Sequence, residues 1–142
     1  MADNDTRAVM QGYLQALRDR AAFDQFFATD VTWTTMETGE EIHGREQVRD
    51  LIVGLHTQAF DARPELGGLV TGDGSAMLEA RFIGTHTGDF GGLAPTGRHV
   101  DVPYCVAYDV AGGQITALRA YMPVAALRAQ LVEAAEPATT PA

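Results

Sequence analysis

Residues 77–98 read MLEARFIGTHTGDFGGLAPTGR, and this stretch decides the fold. In its first half Leu78, Ala80, Phe82 and Gly84 fall on one face of an extended chain, while Glu79, Arg81, Thr85 and Thr87 fall on the other. The alternation predicts a strand buried on one face. His86 shares the inward parity of Leu78 and Phe82, and Glu79 and Arg81 point to the surface or an interface. The second half, Gly88 to Gly97, holds four glycines and no phosphate-loop lysine. It reads as a flexible lid or a plain long hairpin loop, with no nucleotide site implied.

Toward the N-terminus the pattern turns helical. Asp3, Asn4 and Asp5 offer caps for a helix over Thr6 to Arg18, in which Val9, Tyr13, Leu14 and Leu17 recur at helical spacing. A second short helix is expected to carry Phe23, Phe26 and Phe27 and to end at Thr29-Asp30, before a strand over Val31 to Met36. Thr38-Gly39 marks a turn and Glu41 to His43 a short strand. Gly44 opens a further helix with Val48, Leu51, Ile52 and Leu55 as its buried stripe. From Ala62 onward come strands, with turns expected at Gly67-Gly68, Thr71 to Gly74 and Ala111 to Gly113. Val100 to Val110 and Gln114 to Met122 would pair as a hairpin. Pro123 suits the start of a last helix carrying Leu127 and Leu131. Helices followed by antiparallel strands predict an α+β domain over residues 1–134, with a central pocket under a curved antiparallel sheet wrapped over three helices. The tail, 135–142, is expected to be disordered.

Composition narrows the function. The chain has 142 residues, room for one domain and one pocket. No apolar stretch approaches the roughly 20 residues of a membrane span, and Met1 to Gln11 has no signal-peptide pattern, so a soluble cytoplasmic protein without membrane partners is expected. A net charge of −9 leaves no basic stripe for nucleic acid. All ten basic side chains are Arg, which excludes lysine Schiff-base chemistry. Cys105 is the sole cysteine, and His43, His56, His86 and His99 fall in no metal-ligand spacing. Neither a metal nor a cofactor is expected.

The segment Gly84-Thr85-His86-Thr87-Gly88 through Gly92, Pro95-Thr96-Gly97-Arg98 resembles the GTHxGxxxGxxPTGR stretch of SnoaL-like polyketide cyclases. Gly113-Gln114-Ile115, Arg119, Leu127 and Gln130-Leu131 resemble that family's ending, and the likeness spans about residues 6 to 131. The resemblance implies a nuclear transport factor 2-like cone, an apolar polyketide-type substrate and a homodimer built on the outward sheet face near Glu79 and Arg81. It also exposes departures. The aldol cyclases' acid/base Asp falls on Ala120, and the related ketosteroid isomerases' general-base Asp falls on Thr35. With a hairpin turn one residue longer here, a further polar position of both groups falls on Cys105, and the isomerases' tyrosine is kept as Tyr13. Neither Ala120 nor Thr35 supplies a base near working pH.

The catalytic candidates are therefore Tyr13, His86, Glu65 and Asp101. Tyr13 either donates to a substrate carbonyl or is a core tyrosine. His86 is either an acid/base or a buried, backbone-bonded histidine. Glu65 and Asp101 are carboxylates expected near the pocket opening, where an epoxide-opening cyclase similar to the family's polyether epoxide hydrolases would need them. Arg119 is expected to be a structural cation with a carboxylate partner. Substrate-binding walls are expected from Trp33, Thr35, Leu78, Phe82, Cys105, Leu118, Ala120 and Met122. The functional expectation is ring closure, including a shape-driven [4+2] cyclisation, or isomerisation without a cofactor. Carboxylate-assisted epoxide opening and non-catalytic binding of a natural product stand as alternatives.

Overall fold

The computed structural model describes residues 2–133; the expected disordered tail lies outside them. Helix α1 (Ala2–Arg18) begins ahead of the expected caps and buries Met10, Tyr13 and Leu14 along one stripe. After it, Arg20 takes a left-handed conformation and donates to the Ala62 carbonyl at 2.8 Å, which turns the chain back onto the sheet. A 3₁₀ turn, Phe23–Phe26, leads directly into strand β1 (Phe27–Thr35). Phe27 and Thr29-Asp30 thus belong to a strand and not to a helix. The β-branched sequence favours extension, and strand pairing satisfies its backbone.

Strand β2 (Glu40–His43) pairs antiparallel with β1, and α2 (Arg45–Val53) follows with Val48 and Ile52 buried four residues apart. A π-helical turn, Gly54–Ala59, carries that stripe one position further to His56. Strands β3 (Phe60–Gly72), β4 (Ser75–His86), β5 (His99–Ala111) and β6 (Gln114–Tyr121) then form successive antiparallel pairs, and α3 (Val124–Glu133) closes the fold. Gly67-Gly68 does not turn the chain. It lies within β3 at a register shift between Leu66 and Leu69, where a Cβ on Gly67 would stand 2.8 Å from the Glu79 carbonyl oxygen. These glycines bend a strand that stays paired.

The six strands form one curved sheet in the order β2-β1-β6-β5-β4-β3. The sheet is not wholly antiparallel, because β1 runs parallel to β6. No hairpin joins those two strands, so their polarity is free. Two apolar clusters lie inside the cone. One joins Met10, Tyr13 and Leu14 of α1 to Leu78, Tyr108 and Leu118 of the sheet. The other joins Phe60, Phe82 and Val102 to Leu127 and Leu131 of α3. Among the described residues no helix is long and apolar enough to cross a membrane.

Candidate active site

A cavity of about 290 Å³ is walled by members of both clusters. Tyr13 reaches it from α1, Trp33 and Thr35 from β1, Leu78 from β4, Leu118 and Ala120 from β6, and Met122 from the link to α3. These seven expected residues are brought together. Trp33 donates its indole N–H to the Thr35 hydroxyl at 2.9 Å, so Thr35 positions the wall and is no base. Exposed Thr38, Glu40 and Gly91, with half-buried Arg128, mark the mouth.

The other expected residues lie elsewhere, for identifiable reasons. Phe82 is fully buried behind the wall, edge-on to Phe60 and His56 at centroid distances of 5.2 and 5.3 Å. Glu65 pairs opposite Arg81 on the outer sheet face. Asp101 accepts from Arg81 Nε at 2.7 Å, half-exposed, away from the cavity. Cys105 sits opposite Glu79 and Tyr121, also outside. Burial first, then the Glu79 carboxylate, pushes its thiol up and away from nucleophilic thiolate. The residue opposite Ala120 is Val106, because a register shift at Asp109/Val110 absorbs the position that would have turned residue 105 inward. Arg119 does take its carboxylate partner, Asp109, through two bonds of 2.9 and 3.0 Å.

His86 lies outside the cavity lining. Its Nδ1 accepts the Thr96 backbone N–H at 3.0 Å, which leaves the proton on Nε2, and the ring packs on Phe60 at 5.2 Å. It thereby fastens the far end of the glycine-rich loop, and the near end is fastened by Thr87 and Gly88 donating to the Ala59 carbonyl. This loop is pinned at its base; its tip, Phe90 and Gly91, reaches the cavity.

Three further residues complete the site. Tyr104 and Tyr108 of β5 join Tyr13 at the wall, with the Tyr13 and Tyr108 rings 5.9 Å apart. Burial pushes the Tyr104 hydroxyl up to about 12. Burial also drives Tyr13 and Tyr108 above the phenol range, and each of the two is raised further by Tyr104. Among the described residues none of these hydroxyls has a hydrogen-bond partner. The third is His56. Its Nδ1–H donates to the Ile52 carbonyl at 2.9 Å, so Nε2 carries a bare lone pair, buried and unpartnered. Burial lowers its pKa against the pull of that bond, with Arg20 lowering it further, and the ring stays neutral. The four-residue spacing from Ile52 was the sequence signal for His56.

Chemically the wall is largely apolar, with three neutral phenols that can each donate a hydrogen bond and a neutral imidazole in the same lining. Glu40 at the mouth is its carboxylate. Among the described residues no three His, Cys, Asp or Glu come together as metal ligands.

An α+β cone closed around such a cavity has the nuclear transport factor 2-like fold. The chain belongs to the SnoaL-like polyketide cyclase family, whose model matches residues 7–131. A search of curated proteins found no match. Among solved structures, a candidate SnoaL-like polyketide cyclase from Jannaschia sp. CCS1 superposes with TM-score 0.81 at 16% identity, covering 91% of this chain and 92% of that one. A candidate polyketide cyclase from Xanthomonas campestris pv. campestris gives 0.77 at 21% identity, covering 92% and 99%. An LEH-like epoxide hydrolase from M. tuberculosis gives 0.72 at 14% identity, covering 99% and 98%. At these identities the likeness is one of fold.

Proposed function

We propose that this protein is a cofactor-independent cyclase or isomerase of secondary metabolism acting on an apolar, polyketide-type substrate. The observation that carries the reading is the trio of unpartnered phenols, Tyr13, Tyr104 and Tyr108, in a largely apolar cavity. Such donors are complementary to a carbonyl oxygen that gains negative charge as a ring closes or a double bond migrates. The walls, Trp33, Leu78 and Leu118 among them, hold a flexible chain in a reactive shape, and orientation alone can contribute about 7–11 kcal/mol in well-organised cases. Ring closure of the [4+2] type needs no proton removed, which suits a site with Ala120 and Thr35 at the relatives' base positions. Where a proton must move, His56 Nε2 is the neutral base beside the cavity. The placement of Glu65 and Asp101 on the outer face speaks against carboxylate-assisted epoxide opening. The lack of a carboxylate inward of the mouth favours a second reading, binding without turnover.

Mass spectrometry on purified protein incubated with linear polyene, poly-β-carbonyl and epoxide substrates separates mass-neutral ring closure or isomerisation from condensation and from hydrolysis. Cycloaddition or isomerisation leaves the mass unchanged, aldol condensation loses one water, and epoxide hydrolysis gains one. Trp33→Ala should lose more activity than Tyr13→Phe, Tyr108→Phe or His56→Gln, none of which should cost more than about a hundredfold. A loss above about 10⁴-fold for one of the latter would establish an essential acid/base and sink the orientation reading. Tight binding with no product would leave the binder.

A further inference from the structure

Arg128 is the guanidinium on the cavity wall, projecting from α3 next to buried Leu127. Its Nη1 donates to the Gly91 carbonyl at 3.1 Å and approaches that of Phe90 at 3.5 Å. The loop closes directly over it: Gly91 has φ 55°, and a Cβ there would stand 2.9 Å from Nη1. Only one nitrogen is thus engaged. Among the described residues neither Nε nor Nη2 of Arg128 has a hydrogen-bond partner, and no carboxylate lies within ion-pair distance. By contrast Arg20, Arg49, Arg81 and Arg119 each hold one.

A half-buried cation without a counter-ion is electrostatically incomplete, and the remaining planar edge of a guanidinium matches a carboxylate in two parallel bonds. Glu40 shares the mouth but is exposed, solvated and not paired with Arg128. Given that the cavity is the substrate site proposed above, we infer that Arg128 is its anion-binding residue. The ligand is amphipathic: an apolar skeleton inside, with a carboxylate held at the mouth. Anchoring that end fixes which carbon of the skeleton reaches the phenols, so Arg128 sets regiochemistry without touching the reacting atoms.

The neutral dye N-phenyl-1-naphthylamine reports occupancy by fluorescence, and decanoate and decanol compete for it as an anion and its uncharged counterpart. Arg128→Gln, which can still donate to the Gly91 carbonyl, should raise the half-displacing concentration of decanoate about tenfold and leave decanol unchanged. Arg128→Lys should retain part of the decanoate affinity. Equal weakening of both competitors would show that Arg128 merely holds the loop, and no weakening of either would show no anion site; each overturns the inference while leaving the cavity reading intact. Failure of the wild-type protein to bind the dye would overturn the cavity reading, and this inference with it.

Discussion

Replacing Tyr108 with Phe should stabilise the empty protein and weaken its ligand. Tyr108 is 2% exposed, and its hydroxyl has no hydrogen-bond partner among the described residues. That hydroxyl faces a cavity of about 290 Å³ and is not sealed from it, so water recovers much of the roughly 1–3 kcal/mol that a fully buried, unsatisfied hydroxyl costs. The net gain on deletion is therefore up to about 1 kcal/mol, a rise of up to about 4 °C in Tm for a chain of this size. The ligand loses the opposite way: one hydrogen bond to a ketone is worth about 0.5–1.5 kcal/mol net, roughly 2- to 12-fold in Kd. Scanning calorimetry measures the first. Calorimetric titration with 2-acetylnaphthalene and with 2-isopropenylnaphthalene, which match in shape and differ in C=O against C=CH2, measures the second. Only the ketone should weaken, and Tyr13→Phe should behave alike. A Tm that falls by several degrees, or equal losses for ketone and hydrocarbon, would refute the view that these phenols are kept for an incoming oxygen.

Acid should expose His56. Because its folded pKa lies below the ordinary 6.5, the unfolded chain takes the proton first. Its contribution to stability is complete above pH 6.5 and is lost as pH falls from there toward the folded value. The slope of Tm against pH below 6.5 should shrink in His56→Gln, and an unchanged slope would count against the buried neutral ring. On the outer sheet face Met77 and Tyr121 are each 46% exposed beside Glu79 and Arg81, and a homodimer is expected there. Light scattering should give twice the 15.2 kDa chain mass, and a particle of single-chain mass at micromolar concentration would remove it.

The strand at 77–87 was legible because its two faces differ in polarity, which is the information a period-two pattern needs. Strand β5 was not. Val102, Pro103, Tyr104, Cys105, Val106, Ala107 and Tyr108 carry no polar alternation, so the sequence did not say that the tyrosines face inward, and a family comparison turned Cys105 the wrong way. His56 was weighed only as a metal ligand, although the expected stripe already ran to Leu55 and its four-residue spacing from Ile52 pointed inward. Glu65 and Asp101 were misplaced because which side of a curved sheet becomes the opening depends on how the whole sheet bends. Thr35 and Ala120 were named through the family resemblance, and Trp33 because it shares the parity of Thr35 on the first strand; all three line the cavity.

The parallel pairing of β1 with β6 also sets an order of events during synthesis. Trp33 of β1 lies opposite Leu118, so one edge of β1 stays open until β6 has been made, after the four intervening strands β2 to β5. Contacts so distant in sequence pay their loop-closure entropy late, which slows folding. A nascent chain stalled before β6 would expose the β1 edge and the walls of the unfinished cavity together, a surface suited to chaperones and to aggregation. The last strand thus both finishes the site and seals the first.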